Sequence, residues 1–137
     1  MSLIQEKIKQ FKKDLKGYPM DERQKRLYKS FIRTSGNPSS FSAIDKEGKI
    51  VKFKLRSDST TEGTQHILLK HYRGFIGKVT AIEIISMFEV IEKGNKAKDS
   101  KSITYTMKKN YPKGSLIVGI KITAGQAVLK SFYSNRK

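Results

Sequence analysis

Both histidines of the chain lie in one short stretch, Gly63-Thr64-Gln65-His66-Ile67-Leu68-Leu69-Lys70-His71-Tyr72-Arg73-Gly74. An imidazole titrates near neutral pH, with an unperturbed pKa of about 6.5, so either ring can take or give a proton there. Lys70 and Arg73 supply positive charge beside them, and a guanidinium can grip a phosphate with two parallel hydrogen bonds. On a helix turning ~100° per residue, His66, Lys70 and Arg73 share a face and His71 falls about 140° round from His66. Both rings reach one cleft only if they flank its edge or if the helix stops near His71. Metal ligation fits poorly. Two helical histidine ligands want i, i+4 spacing with a carboxylate close by, whereas these stand at i, i+5 with no acid between them. The chain has no cysteine and no G-x-S-x-G elbow for nucleophilic hydrolysis.

What remains suits cleavage of RNA without a metal or other cofactor. One group removes the proton from a ribose 2′-hydroxyl, a second protonates the departing 5′-oxygen, and cations stabilise the phosphorane between them. The plainer roles stay open beside this one: a surface or capping histidine at His66, a core hydrogen-bonding one at His71. A second stretch, Leu129-Lys130-Ser131-Phe132-Tyr133-Ser134-Asn135-Arg136, reads as a strand with Ser131 and Tyr133 on one side and Lys130 and Phe132 on the other. Its hydroxyl pair can hold a phosphate or position a base, and Tyr133 can stack or simply pack. Lys121 and Thr123 on the preceding strand, Arg56 just ahead of the histidine helix, and Lys130 and Arg136 complete the candidate phosphate contacts.

The elements that must position these groups follow from periodicity. Residues 3–16 form an amphipathic helix with Ile4, Ile8, Phe11 and Leu15 on one face. Asp21 caps a second helix with Gln24 as its box partner, and Leu27, Tyr28, Phe31 and Ile32 give its apolar stripe. The best linker is Gly36-Asn37-Pro38-Ser39-Ser40, which separates an N-terminal helical hairpin (1–36), packing on the core, from an α+β domain (41–137). There, 41–44 and 49–55 flank Asp45-Lys46-Glu47-Gly48 as a β-hairpin. A polar loop from Arg56 to Glu62 leads into the histidine helix, read as Thr64 to Arg73. Thr80-Ala81-Ile82-Glu83 is a capping box opening a long core helix that stops at Lys93-Gly94. Strands follow at 102–108, 116–123 and 127–133, with a turn at 110–114. The fold class is α+β: an antiparallel sheet of about four or five strands covered by helices, preceded by two helices.

At 137 residues the chain can bury a core without disulfide staples. A net charge of +17 costs self-repulsion and points to a polyanionic partner. From Lys93 onward eleven basic residues face one acid, Asp99, so the excess is concentrated where the last strands lie. No apolar run approaches the roughly 20 residues of a membrane span. The N-terminal MSLIQEKIKQF is broken by charge and does not read as a secretory signal. A cytoplasmic site of action is therefore expected. The chain stops at Lys137, close behind the final candidate strand, as a domain built to be terminal would.

The HILLKH of the histidine helix, the capped helix running into Phe88-Glu89-Val90-Ile91-Glu92-Lys93-Gly94, and the closing VLKSFYSNRK resemble the barnase–EndoU–colicin–RelE superfamily of RNases. They are most similar to the barnase-like domains of phage proteins and polymorphic bacterial toxins. The resemblance spans roughly Phe41 to Arg136. It implies a catalytic histidine on a helix ahead of an antiparallel sheet, His66 or His71, and hydroxyl or aromatic residues on the last strand, Ser131 and Tyr133. It departs from the pattern in having Ser131 where threonine is commoner, and in offering no evident carboxylate partner for His66. The expected activity is an endoribonuclease leaving a 2′,3′-cyclic phosphate, in a bacterial toxin or phage-associated effector with an acidic cognate inhibitor. Two other readings stand beside it: a non-catalytic nucleic-acid-binding module using Tyr105, Tyr111 and Tyr133, and an inactive phage structural domain of the same fold.

Overall fold

The computed structural model describes residues 2–110 and 113–136, the last by its backbone alone. Two helices come first, α1 (Leu3–Asp14) and α2 (Glu22–Phe31), each opened by a reciprocal capping box, Ser2 with Gln5 and Asp21 with Gln24. A hairpin of β1 (Ser39–Ile44) and β2 (Ile50–Leu55) follows, then α3 (Thr64–Lys70), α4 (Ala81–Ile85) and α5 (Phe88–Lys93). The chain closes with β3 (Asn95–Lys98), β4 (Ser102–Asn110), β5 (Lys113–Thr123) and β6 (Gln126–Arg136). The α+β class is as expected, and the described residues form one sheet of six strands in the order β1-β2-β6-β5-β4-β3. Three details correct the sequence reading.

The first correction is β3. Asn-Lys-Ala-Lys has no apolar alternation, and it becomes a strand because its backbone completes the free edge of β4. The second is the join between the hairpin and the meander. β2 runs parallel to β6 through Lys54 and Val128, so the sheet is mixed and not wholly antiparallel. The third is the long core helix, which breaks at Ser86-Met87 into α4 and α5. Backbone N–H groups there bond three residues back, Met87 to Ile84, Glu89 to Ser86 and Val90 to Met87, tightening the chain into a turn. A straight helix would bury one stripe only. The break lets Ile84, Ile85, Met87, Phe88, Val90 and Ile91 all turn inward while Ile82 stays exposed. The turn read at 110–114 is shorter, since Asn110 already pairs with Lys113; Tyr111 and Pro112 lie outside the described residues.

The N-terminal hairpin belongs to the same apolar cluster as the rest. Phe11 packs within 5.6 Å of Phe31 and within 5.6 Å of Tyr72, the residue after His71. Each fully buried Phe, Leu or Ile here contributes about 1.5–3 kcal/mol. Lys7 Nζ donates to the Tyr72 carbonyl at 2.7 Å and the Tyr72 hydroxyl donates to Asp14, so α1 braces the exit of α3. The far edges of the sheet are also tied. Buried Asp45, in the β1–β2 turn, accepts from Lys96 of β3 at 3.1 Å and from the Tyr105 hydroxyl of β4 at 2.9 Å. This clamp curls the sheet around α5, which lies against β1, β4 and β5.

Candidate active site

The site is built where α3 meets the outer edge of β6. Gly63 opens α3 with φ +82°, its N–H donating to the Lys130 carbonyl at 3.2 Å, and a Cβ there would run into the Arg56 carbonyl. Only glycine combines that dihedral with that approach. The helix ends at Lys70, three residues sooner than expected, with His71 as its cap. This early stop brings the two rings together: His66 and His71 lie edge-to-face with centroids 5.5 Å apart. The same stop removes Arg73 from the His66–Lys70 face. Arg73 sits past the helix at φ +54°, and its charge bears on Lys7 and Tyr72.

His71 is buried, 6 % exposed, and its Nδ1 donates to the Ile76 carbonyl at 3.0 Å. Tyr133 of β6 lies against the ring with centroids 5.6 Å apart. Gly77 closes the contact, because a Cβ there would sit 2.8 Å from His71 Nδ1 and 3.1 Å from Tyr133 Cβ, at φ +64°. His66 is half-buried and bonds to the Thr60 backbone of the preceding loop. Burial, chiefly, lowers the pKa of both imidazoles below 6.5, with Lys70 adding repulsion at each ring, and His71 and Lys130 at His66. These surroundings favour the neutral form of each ring.

Sequence reasoning missed Glu62, the residue before Gly63. It is 7 % exposed and bridges two of the candidate cations, with Arg56 Nη1 at 3.0 Å from Oε1 and Lys121 Nζ at 2.6 Å from Oε2. Burial works to raise its pKa, but the hydrogen bonds and charges of Lys121 and Arg56 outweigh that and hold it below the usual carboxylate range. The only local signal was an acid set directly before a helix-opening glycine in a strongly basic chain.

The remaining candidates divide. Ser131 and Tyr133 do share a face, opposite buried Phe132, but Ser131 is itself buried. Its hydroxyl and that of Thr64 find no hydrogen-bond partner among the described residues. Lys130 is not simply on the Phe132 side: it is the extra residue of a β-bulge, since Ser131 pairs with Gly119 and Leu129 with Ile120. By that register Lys121, Gly119 and Ile117 of β5 share the face of Ser131 and Tyr133. The face continues to Asn135 and a groove lined by Lys108, Lys109, Lys113 and Ser115 at the β4–β5 end. Thr123 stands apart, exposed beside the β5–β6 turn. Arg136 pairs with Gly114 by its backbone; its side chain lies outside the described residues. Tyr105, one of three tyrosines weighed for base stacking, is fully buried against Asp45 and cannot stack; Tyr111 is outside the described residues.

Among the described residues no three or more His, Asp or Glu side chains gather to hold a metal ion, and no helix is long and apolar enough to cross a membrane. The arrangement offers a pair of imidazole rings, an aromatic ring against one of them, and an Arg56–Glu62–Lys121 cluster on the adjoining sheet face. No family model, curated protein or solved structure matches this chain.

Proposed function

We propose that the chain is a metal-independent endoribonuclease acting by transesterification, with His66 and His71 as its proton-transfer pair. The observation that carries this is the pairing of the two imidazoles at 5.5 Å, with the ring of His71 fixed between the Ile76 carbonyl and Tyr133. A neutral imidazole takes the 2′-hydroxyl proton as the 2′-oxygen bonds to phosphorus. The other, protonated, gives its proton to the 5′-oxygen as the P–O5′ bond breaks, leaving a 2′,3′-cyclic phosphate and a 5′-hydroxyl. Lys70 and Lys130, whose charges already bear on the rings, and the cluster of Lys121 and Arg56 offset charge on the phosphorane. The resemblance to barnase-like RNases motivates a catalytic histidine on this helix, and the net charge of +17 suits both RNA and an acidic inhibitor of a toxin or phage effector.

One observation favours a second reading. A histidine 6 % exposed and bonded to a backbone carbonyl is also what a structural histidine looks like, and the lysine-lined groove beyond Asn135 can hold RNA without cutting it. Incubation with total RNA in EDTA decides between them. Cleavage that persists under chelation, yields cyclic-phosphate ends and disappears in His66→Ala or His71→Ala supports the enzyme. RNA bound but intact in every lane supports the binding module, and neither binding nor cleavage sinks both.

A further inference from the structure

Phe75 is the most exposed of the large apolar side chains among the described residues, with its whole ring in water, and Ile76 beside it is 77 % exposed. The loop that presents it is held on every side. Val79 N–H donates to the His71 carbonyl at 3.0 Å, Gly74 N–H to the same carbonyl at 3.2 Å, and Ser134 N–H to Gly77 at 3.1 Å. Tyr72 and Val79 form a bridge across its base. The carbonyl of Ile76, next to Phe75, is the acceptor of His71 Nδ1. The aromatic tip is thus anchored through one residue to the imidazole proposed to move a proton.

Two adjacent apolar side chains are too small a patch for a protein interface, which needs several hundred Å² of contiguous surface. The other exposed large apolar residues, Leu3, Ile44, Ile50 and Ile82, lie on other elements. One flat ring on a loop tied to His71, with exposed Lys70 at the end of α3, is instead a combination that can hold a nucleotide, with the base on the π-face and phosphate on the cation. We propose that Phe75 is a stacking platform for a nucleobase adjoining the phosphate at the His66–His71 pair, an inference that rests on the RNase reading. Stacking on a single ring tolerates every base, so the subsite adds affinity and register, not strict sequence choice.

The chain has no tryptophan, so Phe75→Trp adds a lone reporter at a position where the larger ring meets only solvent. It is titrated with a labelled all-2′-deoxy oligonucleotide, which lacks the attacking hydroxyl and cannot be cut, and with an abasic strand of equal length. Saturable quenching by the base-bearing strand and little by the abasic one is expected. Phe75→Ala should weaken the labelled strand's binding between about five-fold and a hundred-fold, with Phe75→Tyr restoring it. Cleavage of RNA by the wild type with tryptophan emission unmoved would overturn the stacking subsite and leave the RNase reading standing. Equal quenching by the abasic strand, or by vesicles of anionic lipid, would overturn it in favour of a charge-driven contact. A wild type that neither binds nor cuts RNA removes the RNase reading and this subsite with it.

Discussion

The Nδ1 of His71 lies 3.0 Å from the carbonyl oxygen of Ile76, and because a carbonyl only accepts, Nδ1 carries the hydrogen and Nε2 is the atom left to titrate. Gly77 permits this geometry through its φ of +64° and its missing Cβ. Gly77→Ala should cost about 1–2 kcal/mol from the left-handed backbone alone. It should also push the His71 ring or Tyr133 aside, lowering kcat/KM at least about ten-fold in a chain that still folds, since small misplacements of reacting groups are costly. Urea unfolding and steady-state cleavage measure the two effects separately, and an alanine variant of full activity would refute the positioning argument.

The lowered pKa values of both rings set the sign of the pH dependence. As pH rises through them the imidazolium needed as acid disappears, and as pH falls below them the neutral base is lost. The bell of kcat/KM against pH should therefore peak below the ordinary histidine value of 6.5. His66→Ala and His71→Ala should each lose about 10²–10⁴-fold at that maximum. A maximum above pH 7 would mean that an imidazolium is not the acid.

Asp45 gives a stability prediction independent of catalysis. Burial acts to raise its pKa, but the Lys49 and Glu47 N–H groups, Lys96 and Tyr105 together hold it at about 2, below the unfolded value of 3.8. Stability from the clamp is thus fully present above the unfolded value and lost as pH falls from there through about 2. Asp45→Ala leaves the Tyr105 hydroxyl without its partner and Lys96 with Glu47 alone, and should cost about 1–3 kcal/mol at pH 7. The gap between variant and wild type should shrink as pH drops toward 2. Urea titrations at pH 7 and pH 3 test it, and a gap that does not narrow would rule out the charged clamp.

The parts of the fold legible in the sequence were those with local grammar. Alternation marked β1, β2 and β4–β6, and the reciprocal boxes at Asp21–Gln24 and Thr80–Glu83 marked two helix starts. What stayed hidden was decided at long range. β3 has a polar sequence and exists because β4 offers an edge. The break at Ser86-Met87 is invisible in a run whose wide apolar face continues across it. The early stop of α3 at His71, which sets the ring-to-ring distance, depends on contacts to Ile76 and to α1 through Tyr72. Both histidines were legible as neighbours on one short helix; which groups joined them was not. Arg73 left with Tyr72, and Glu62 entered through Lys121, a residue on a strand far along the chain.

Glu62 is a buried carboxylate directly ahead of the histidine helix, but its electrostatics argue against its being the base. A carboxylate held ionised by Arg56 and Lys121 below its usual range is a weaker proton acceptor than a free one, and its oxygens are already engaged at 3.0 and 2.6 Å. Its role follows as the anchor that keeps two cations on the sheet face. Glu62→Gln should then lower stability by only about 1 kcal/mol or less, because Arg56 and Lys121 are part-exposed and regain water, and Arg56 keeps Asp58. It should reduce kcat/KM less than either histidine variant does and leave the position of the pH maximum unchanged. Loss of activity as deep as in His66→Ala, with the acidic limb of the profile displaced, would instead assign Glu62 the base and reduce His66 to a neighbour.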